Sequence, residues 1–408
     1  VLEAGDERLY KARDSRVLVM DSIMADIDYA IENIPAEVEL NRITKYTAQI
    51  LKARIALFEG TFRKYHGISG GEAFLRAAAT TAEDLMNSGA YSLYTIGGPE
   101  EAYRGLFARN DQDAVETILA RDFDQELETH NLGYLMTAPT MGGWGMMKDA
   151  VNSYLLADGT RFTDLPGYET MGFYQEMQNR DPRLTQTTAG PGFKVSGSEE
   201  PEPVSLESST TGYRIIKALP DRSQWSSSYF DVIIFRYAEA LLIYAEAKAE
   251  LGTLTQSDLD ISINLLRDRV GMPHLNMAQA NANPDPYQES FYQNVDQGAN
   301  KGVILEIRRE RRIELFNEGL RWHDLMRWKG KKLEQPMLGI YFPSLGAHDF
   351  DNDAKPDVYL HQGDPSGAPE GITTFINVLQ RPLTEGTSGN MNPFGDGGKF
   401  DQAKDYYY

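Results

Sequence analysis

The sequence predicts a mostly α-helical protein in which tetratricopeptide-like helix pairs support a large loop-rich region. Two observations carry this prediction. Apolar residues recur at steps of three and four in residues 1–92 and again in 233–330, which is the period of a helix with one buried face. Residues 93–232 and 331–408 are instead dense in glycine, proline, serine and threonine, which is typical of irregular structure. We therefore expect four regions, with the helices in the first and third.

The first region is predicted to contain three helices. The apolar stripe of the first helix consists of Val17, Met20, Ile23, Met24 and Ile27. Pro35 is expected to end that helix, because its ring cannot continue the backbone hydrogen bonds. The second helix is expected over residues 44–65 and the third over 71–87, where Ser88-Gly89 supplies a stop signal.

The third region begins with a helix of a different kind. A narrow stripe of mainly small side chains follows one of its faces, at Ala238, Leu241, Ala245 and Ala249. Small residues allow a neighbouring helix to approach closely, as paired repeat helices require. Gly252 is expected to end this helix. Further helices are predicted over 258–270, 303–317 and 320–328. The irregular residues 93–232 are too many for a simple connection, and we expect them to be functional or packed on themselves.

The composition excludes several classes of protein. The 408 residues include 40 Lys+Arg and 60 Asp+Glu, which gives a formal net charge of −20. Nucleic-acid phosphates are held by clustered Lys and Arg, so we expect no nucleic-acid partner. The chain has no cysteine, which rules out disulfides and thiolate metal sites. Its six histidines are dispersed and show no zinc or catalytic spacing.

Several stretches of the sequence match a known pattern in order. The two longest are the helical motifs Arg236–Ala247 and Ile307–Trp328. Three weaker ones are Asp26–Pro35, Asn179–Leu184 and the terminal Lys404–Tyr408. Together they resemble the SusD/RagB family of outer-membrane nutrient-binding lipoproteins from Bacteroidetes-type bacteria, over nearly the whole chain.

The resemblance implies a SusD-like fold, in which four tetratricopeptide-like helix pairs support a loop-rich ligand-binding part. It also implies a non-catalytic protein, lipid-anchored in the outer membrane at the cell surface. Such a protein captures oligosaccharides, or in some members oligopeptides, for import through a partner SusC-like TonB-dependent transporter. No cofactor is required for that role.

The beginning of the sequence departs from the family pattern. Family members start with a lipidated cysteine and carry further helices before the segment that resembles Asp26–Pro35, and a tail usually follows the last motif. None of these features is present here. We therefore expect the sequence to be incomplete, with the lipid anchor and part of the ligand site lying outside it.

Aromatic residues of the irregular region are the candidate ligand contacts. Trp144 lies between glycines, and Trp225 lies among polar residues that include Arg222. Flat aromatic rings can cover the C–H faces of sugars with little loss of rotamer entropy. The predicted ligand-binding residues are Trp144, Tyr168, Tyr213, Arg222 and Trp225, although each ring taken alone is more often packed than exposed.

An acidic loop is a candidate site for a structural calcium ion. Its carboxylates are Asp349, Asp351, Asp353 and Asp357. Calcium takes six to eight oxygen ligands, and alternate carboxylates of a short loop can converge on it. Ala354 stands where calcium loops usually place glycine, and Leu360 cannot supply the final carboxylate of an EF-hand. A solvated acidic turn is the alternative.

The arginine-rich helix within Ile307–Trp328 is interpreted as structural. Glutamates interleave with its arginines, and the pairs Glu306/Arg309 and Arg311/Glu314 stand at helical neighbour spacing. We therefore expect an ion-pair network rather than an anion site. The flanking Trp322 and Trp328 are predicted to be core residues.

Three alternatives to a glycan-binding lid remain open. The same scaffold could bind oligopeptides, or the chain could be an all-helical carbohydrate-active enzyme. With 60 acidic residues some catalytic carboxylate pair is always available, but nothing in the sequence selects one. A generic helical-repeat scaffold is less favoured because of the long irregular region.

Overall fold

A computed structural model describes residues 3, 5–37, 40–141, 143–292, 294–295, 298–330 and 335–395. Helices dominate this part of the chain, as predicted, and its strands are short. No helix in it is both long and apolar enough to cross a membrane. The motif Lys404–Tyr408 and the first glycine of the Trp144 loop lie outside the described residues.

Three helices form the N-terminal region, close to the predicted bounds. They are α1 (Arg16–Asn33), α2 (Lys45–Tyr65) and α3 (Gly71–Asn87). Helix α2 packs against both of the others. Gly60 makes the close contact between α2 and α3 possible, because a β-carbon there would lie 2.8 Å from the side chain of Leu75. The predicted stripe of α1 is only partly buried, at Met20 and Ile27.

The following irregular region contains only short elements. Its helices are α4 (Ala102–Phe107), α5 (Leu132–Thr137), α6 (Lys148–Ser153), α7 (Phe173–Glu176) and α8 (Arg183–Thr187). Strands β1 (Thr117–Arg121) and β2 (Val232–Arg236) pair in antiparallel fashion at its two ends. This pairing returns the chain to the helical part after the long insertion.

A buried helix organises the second helical part. Helix α9 (Tyr237–Leu251) is buried on nearly all sides and packs against α2 and α3. It ends as predicted at Gly252, whose φ of 73° is the left-handed conformation that glycine adopts without strain. The helices that follow are α10 (Gln256–Asp260), α11 (Ile263–Arg269), α12 (Met277–Ala282), α13 (Pro286–Phe291), α14 (Lys301–Glu314) and α15 (Arg321–Arg327).

The C-terminal region adds two small sheets. The strands are β3 (Tyr341–Phe342), β4 (Gly346–His348), β5 (Val358–His361), β6 (Thr374–Asn377) and β7 (Gly389–Asn390). Strand β3 pairs with β7, and β5 lies between antiparallel β4 and parallel β6. Their inward side chains form a second apolar core together with residues of α6, α7 and α8.

Buried ion pairs join α14 to the irregular region. The carboxylate of Glu314 accepts hydrogen bonds of 2.6–3.2 Å from Arg183, Arg236 and Arg269, and these four side chains are at most 1% exposed. Asp181 holds the other side of the Arg183 guanidinium at 2.7 Å. The network therefore fixes the irregular region against the helices.

The predicted ion-pair network is confirmed, but its partners differ from those expected. Glu306 and Arg309 form the predicted pair at 3.2 Å. Arg311 does not pair with Glu314, because its guanidinium bonds Asp324 on α15 at 2.9 Å. Most of the arginines on α14 thus connect different elements rather than successive turns of one helix.

Candidate functional site

Trp225 lies at the edge of a small apolar cluster and is half-buried. Asp221 caps the single 3-10 turn before it by accepting the backbone N–H of Ser223 at 2.9 Å. The indole N–H of Trp225 donates to the carbonyl of Pro220 at 3.2 Å. One side of the ring packs on the cluster of Met136, Ile216 and Leu219. The ring is therefore held in one orientation with part of its surface open.

Two guanidinium groups lie beside this ring. The central carbon of Arg222 is 5.1 Å from the Trp225 ring centroid, and that of Arg214 is 5.7 Å away. Arg222 is largely exposed and pairs with Glu202. The structure thus brings the predicted pair Trp225 and Arg222 together. No pattern in the sequence selects Arg214, which stands in a buried, mainly apolar segment.

A narrow cleft opens next to these groups, which we call the Arg214 cleft. Its volume is about 30 Å³, enough for one or two waters or one small polar group. The residues that line it include two aromatic residues, Arg214, Glu202 and residues 203–206. The rings belong to Phe173 and Phe193, and Phe193 also packs against the apolar cluster beneath Trp225.

Trp144 projects from a loop whose glycines allow a very close backbone contact. The carbonyl of Gly143 accepts the N–H of Thr210 at 2.9 Å, and Gly145 pairs with Arg214 in an isolated bridge. A β-carbon on Gly145 would lie 2.1 Å from a side-chain oxygen of Thr211. Trp144 keeps 36% of its surface exposed. The Trp144 loop is therefore held by hydrogen bonds against the segment that contains Arg214.

A larger apolar cavity of about 380 Å³ lies between this loop and the junction of α14 and α15. Gly145, Met146 and Met147 form one wall, and Trp322 belongs to the other. Trp322 is 44% exposed, so the prediction that it is a core residue was wrong. Its place in the first turn of a short helix leaves the ring at the rim. Trp328 is fully buried, which confirms its predicted core role.

Tyr213 is not on the surface, and its predicted role as a ligand contact is corrected. The side chain is fully buried, and its hydroxyl donates to Glu176 at 2.7 Å. Burial and the nearby Glu176 carboxylate raise the pKa of Tyr213 well above its usual value. The continuous apolar run of Ile215 and Ile216 after it was the available signal for a buried segment.

Tyr168 lies in a separate aromatic group. It is half-buried, and its ring meets Phe162 and Tyr287 edge-on, with centroid distances of 5.9 Å and 6.3 Å. No contact described here joins it to Trp225. Its predicted role as a ligand contact stays a prediction, as do those of Trp144, Trp225 and Arg222.

An exposed aromatic pair on the C-terminal sheet was missed by the sequence reasoning. Tyr359 on β5 stands opposite Phe375 on β6, with ring centroids 6.4 Å apart and Phe375 48% exposed. The available signal was the alternation of apolar inward residues with outward residues along β5. Val358 and Leu360 point inward, so Tyr359 between them points outward.

The acidic loop brings three of its four carboxylates together. Oxygen atoms of Asp349, Asp351 and Asp353 lie within 4.8 Å of one another. Asp357 turns away and accepts the N–H of Phe350 at 2.8 Å. Burial, together with the charges of the other three carboxylates, raises the pKa of Asp357.

The backbone of this loop has the shape that the sequence suggested. Asn352 and Ala354 have φ values of 65° and 67°, so Ala354 adopts the left-handed conformation usual for glycine in calcium loops. Asp349 accepts backbone N–H groups from both residues, at 2.6 Å and 2.9 Å. These bonds hold the loop in this shape, and calcium binding stays a prediction.

Comparison with known proteins identifies the family. The sequence model of the SusD family matches residues 113–374. SusD-like protein P38 of Formosa agariphila is 24% identical over 368 residues, which cover 84% of this chain and 64% of that protein. SusD-like protein P2 of the same organism is 25% identical and covers 76% and 56% of the two chains. The chain thus spans less than two thirds of the length of these relatives.

Solved structures share the fold. A SusD-like carbohydrate-binding protein from Bacteroides fragilis aligns with a TM-score of 0.65 and 23% identity, covering 90% of this chain and 67% of its own. A structure solved with a xylogluco-oligosaccharide aligns with a TM-score of 0.52 and 20% identity, covering 78% and 60%. These similarities confirm the predicted helical, SusD-like fold, and the chain belongs to the SusD family.

Proposed function

We propose that this chain is a non-catalytic glycan-binding protein of the cell surface. It captures oligosaccharides and passes them to a partner SusC-like TonB-dependent transporter in the outer membrane, where a lipid anchor holds it. Family membership supports the class of ligand, the location and the partner. A structural calcium ion at Asp349, Asp351 and Asp353 is part of the proposal.

The observation that carries the proposal is the fixed, half-open ring of Trp225. Its indole N–H is bound to Pro220, so the ring loses little freedom when a sugar stacks on it. Arg222 at the ring can donate to sugar hydroxyl groups. A xylogluco-oligosaccharide in a structural relative supports the same ligand class.

Binding without catalysis fits the chemistry of the Arg214 cleft. Glycoside hydrolysis needs two carboxyl groups on either side of the scissile bond. Among the described residues that line the Arg214 cleft, Glu202 is the sole carboxylate, and Arg222 engages it. The carboxylates of Glu310 and Glu314 are buried among arginines and are out of a polysaccharide's reach.

The test compares glycan binding by variants of the exposed aromatic residues. Oligosaccharides that bind on a glycan array are titrated calorimetrically into the purified chain and into Trp225→Ala, Trp144→Ala and Tyr29→Ala. Each tryptophan variant should raise Kd about fivefold or more, as truncation of an interface anchor does. Tyr29 is 69% exposed on α1, and its variant should bind normally.

Other outcomes would point elsewhere. Unchanged Kd values in both tryptophan variants, with circular dichroism like that of the wild type, would remove the basis of the proposal. Binding of oligopeptides instead of glycans would favour the peptide-binding alternative. Steady release of reducing ends from a polysaccharide, lost in a carboxylate variant, would show an enzyme.

A further inference from the structure

Arg214 is a buried arginine without an acidic partner. Its side chain is 8% exposed, and its guanidinium makes no hydrogen bond or ion pair with any residue that the structure describes. The Nε atom is sealed from solvent without an acceptor. Buried arginines such as Arg183 and Arg236 are instead held by two or more carboxylates. A mostly buried guanidinium without a counter-charge is costly, so an anion bound at Arg214 would stabilise it.

The neighbouring charges do not supply that anion. Glu202 lines the same cleft, but its carboxylate is engaged by Arg222. Arg104 on α4 adds a second cation, and one of its terminal nitrogens is buried without an acceptor in the described part of the chain. Its guanidinium lies 5.0 Å from the ring of Phe193, which is part of the cleft wall.

The electrostatic effects agree with this geometry. Burial and the charge of Arg214 lower the pKa of Arg104 to about 10, although Glu101 opposes the shift. Burial likewise lowers the pKa of Arg214, where Glu202 acts in the opposite sense and Arg222 in the same sense. The charge of Arg214 thus disfavours the charged form of Arg104, as that of Arg222 does for Arg214, and an added anion would oppose these effects.

We propose that the Arg214 cleft binds an anionic substituent of a sugar, so that the protein selects acidic over neutral oligosaccharides. This inference rests on the proposed glycan-binding function and specifies its ligand. A carboxylate of a uronic acid and a sulfate ester share the required chemistry, because each offers paired oxygens to a guanidinium. The volume of about 30 Å³ excludes a sugar ring, so at most a small substituent of the ring could enter the cleft.

Trp225 is close enough to the Arg214 cleft for one sugar to contact both. Arg214 lies 5.7 Å from the indole ring, so a sugar stacked on the open part of Trp225 stands within reach of the cleft. The protein would then recognise the sugar ring by stacking and the acidic substituent by charge. A neutral sugar would stack equally well but would leave Arg214 unpaired.

The experiment uses matched acidic and neutral probes on the whole chain. The first pair is an oligogalacturonate and its carboxyl-reduced form, and the second is a carrageenan oligosaccharide and its desulfated form. Kd is measured by calorimetry for the wild type, Arg214→Gln and the control Arg76→Gln, an exposed arginine on α3. The wild type should prefer the acidic form of at least one pair about tenfold or more, and the responding pair distinguishes uronate from sulfate.

Arg214→Gln should abolish that preference by weakening acidic binding alone, while Arg76→Gln keeps it. If Arg214→Gln proves unfolded by circular dichroism, Arg214→Lys replaces it and should lose most of the preference, because a point charge cannot pair both oxygens. Equal affinity of the wild type for acidic and neutral forms would overturn the inference yet leave glycan binding intact. A preference for the acidic form that persists in a folded Arg214 variant would also overturn the inference. Failure of every glycan to bind would overturn the proposed function as well.

Discussion

Replacing Glu314 by glutamine tests whether buried charges hold the irregular region on the helices. One oxygen of this carboxylate accepts from Arg236 and Arg269, both at 2.7 Å. The other accepts from Arg269 at 2.6 Å and from Arg183 at 3.2 Å. Glutamine keeps one oxygen and turns an amide N–H₂ group toward guanidinium donors. The variant therefore loses two charged hydrogen bonds and leaves three arginines with less compensation.

The expected loss of stability follows from these contacts. Two hydrogen bonds to a charged group contribute about 1.5–3 kcal/mol each, which gives about 3–6 kcal/mol. Breaking a buried ion pair by removing one partner costs about 3–5 kcal/mol, which is consistent with that sum. Because a domain is stable by only about 5–15 kcal/mol, the change is large.

The assay is urea unfolding at pH 7, with Glu72→Gln as the matched control. Glu72 pairs with Arg76 on the exposed surface of α3, where such a pair contributes at most about 0.5 kcal/mol. A loss below about 1 kcal/mol for Glu314→Gln would refute the reasoning, because it would mean that the three arginines need no carboxylate.

The same carboxylate predicts a pH dependence. The three arginines hold the pKa of Glu314 far below its usual value of 4.5, against the opposing effect of burial. A depressed carboxyl pKa stabilises the fold above the unfolded value and loses that contribution as the pH falls through the folded value. The difference between wild type and Glu314→Gln should therefore be full at pH 7 and shrink as the pH falls below about 4.5. A difference independent of pH would contradict the ionic origin of the effect.

Three further predictions concern the loops near the proposed site. Tyr213→Phe should cost about 1–3 kcal/mol on urea unfolding, because it removes a buried hydrogen bond to a carboxylate, and should leave glycan Kd unchanged. Gly145→Ala should cost about 1–3 kcal/mol by forcing the Trp144 loop away from Thr211, and should weaken glycan binding in calorimetry. EDTA should lower the melting temperature of the wild type and of Asp364→Ala but not that of Asp351→Ala; an unaffected wild type would end the calcium proposal.

The helical framework could be predicted because its signals are local. The apolar period of α2 and α3, the glycine stop after α9 and the glycine between α14 and α15 are each contained in a few neighbouring residues. The longer helices were therefore predicted close to their observed bounds, whereas the break between α10 and α11 and the short helices α12 and α13 were not predicted. The apolar stripe of α1 is only partly buried. Periodicity shows that a helix face is apolar but not whether a neighbouring element covers it.

The site was predicted only in part, because burial in the irregular region is set by distant contacts. Tyr213 and Trp225 stand in similar polar, glycine- and serine-rich surroundings. Tyr213 is buried with its hydroxyl bonded to Glu176, whereas Trp225 stays half-exposed at the edge of a small apolar cluster. The apolar pair Ile215 and Ile216 after Tyr213 is the one local difference between them, and aromatic composition alone selected both.

Charge pairing also depends on distant contacts that local sequence does not predict. The unmatched Arg214 is informative for that reason. The sequence fixes an excess of 20 acidic groups, so a buried arginine could readily have been matched with a carboxylate. The buried Arg183, Arg236 and Arg269 are matched by carboxylates from distant elements. Arg214 is left unmatched beside an open aromatic ring, although Glu202 lines the same cleft and is engaged elsewhere. A shortage of carboxylates cannot explain that arrangement, whereas a place kept for the acidic group of a ligand can.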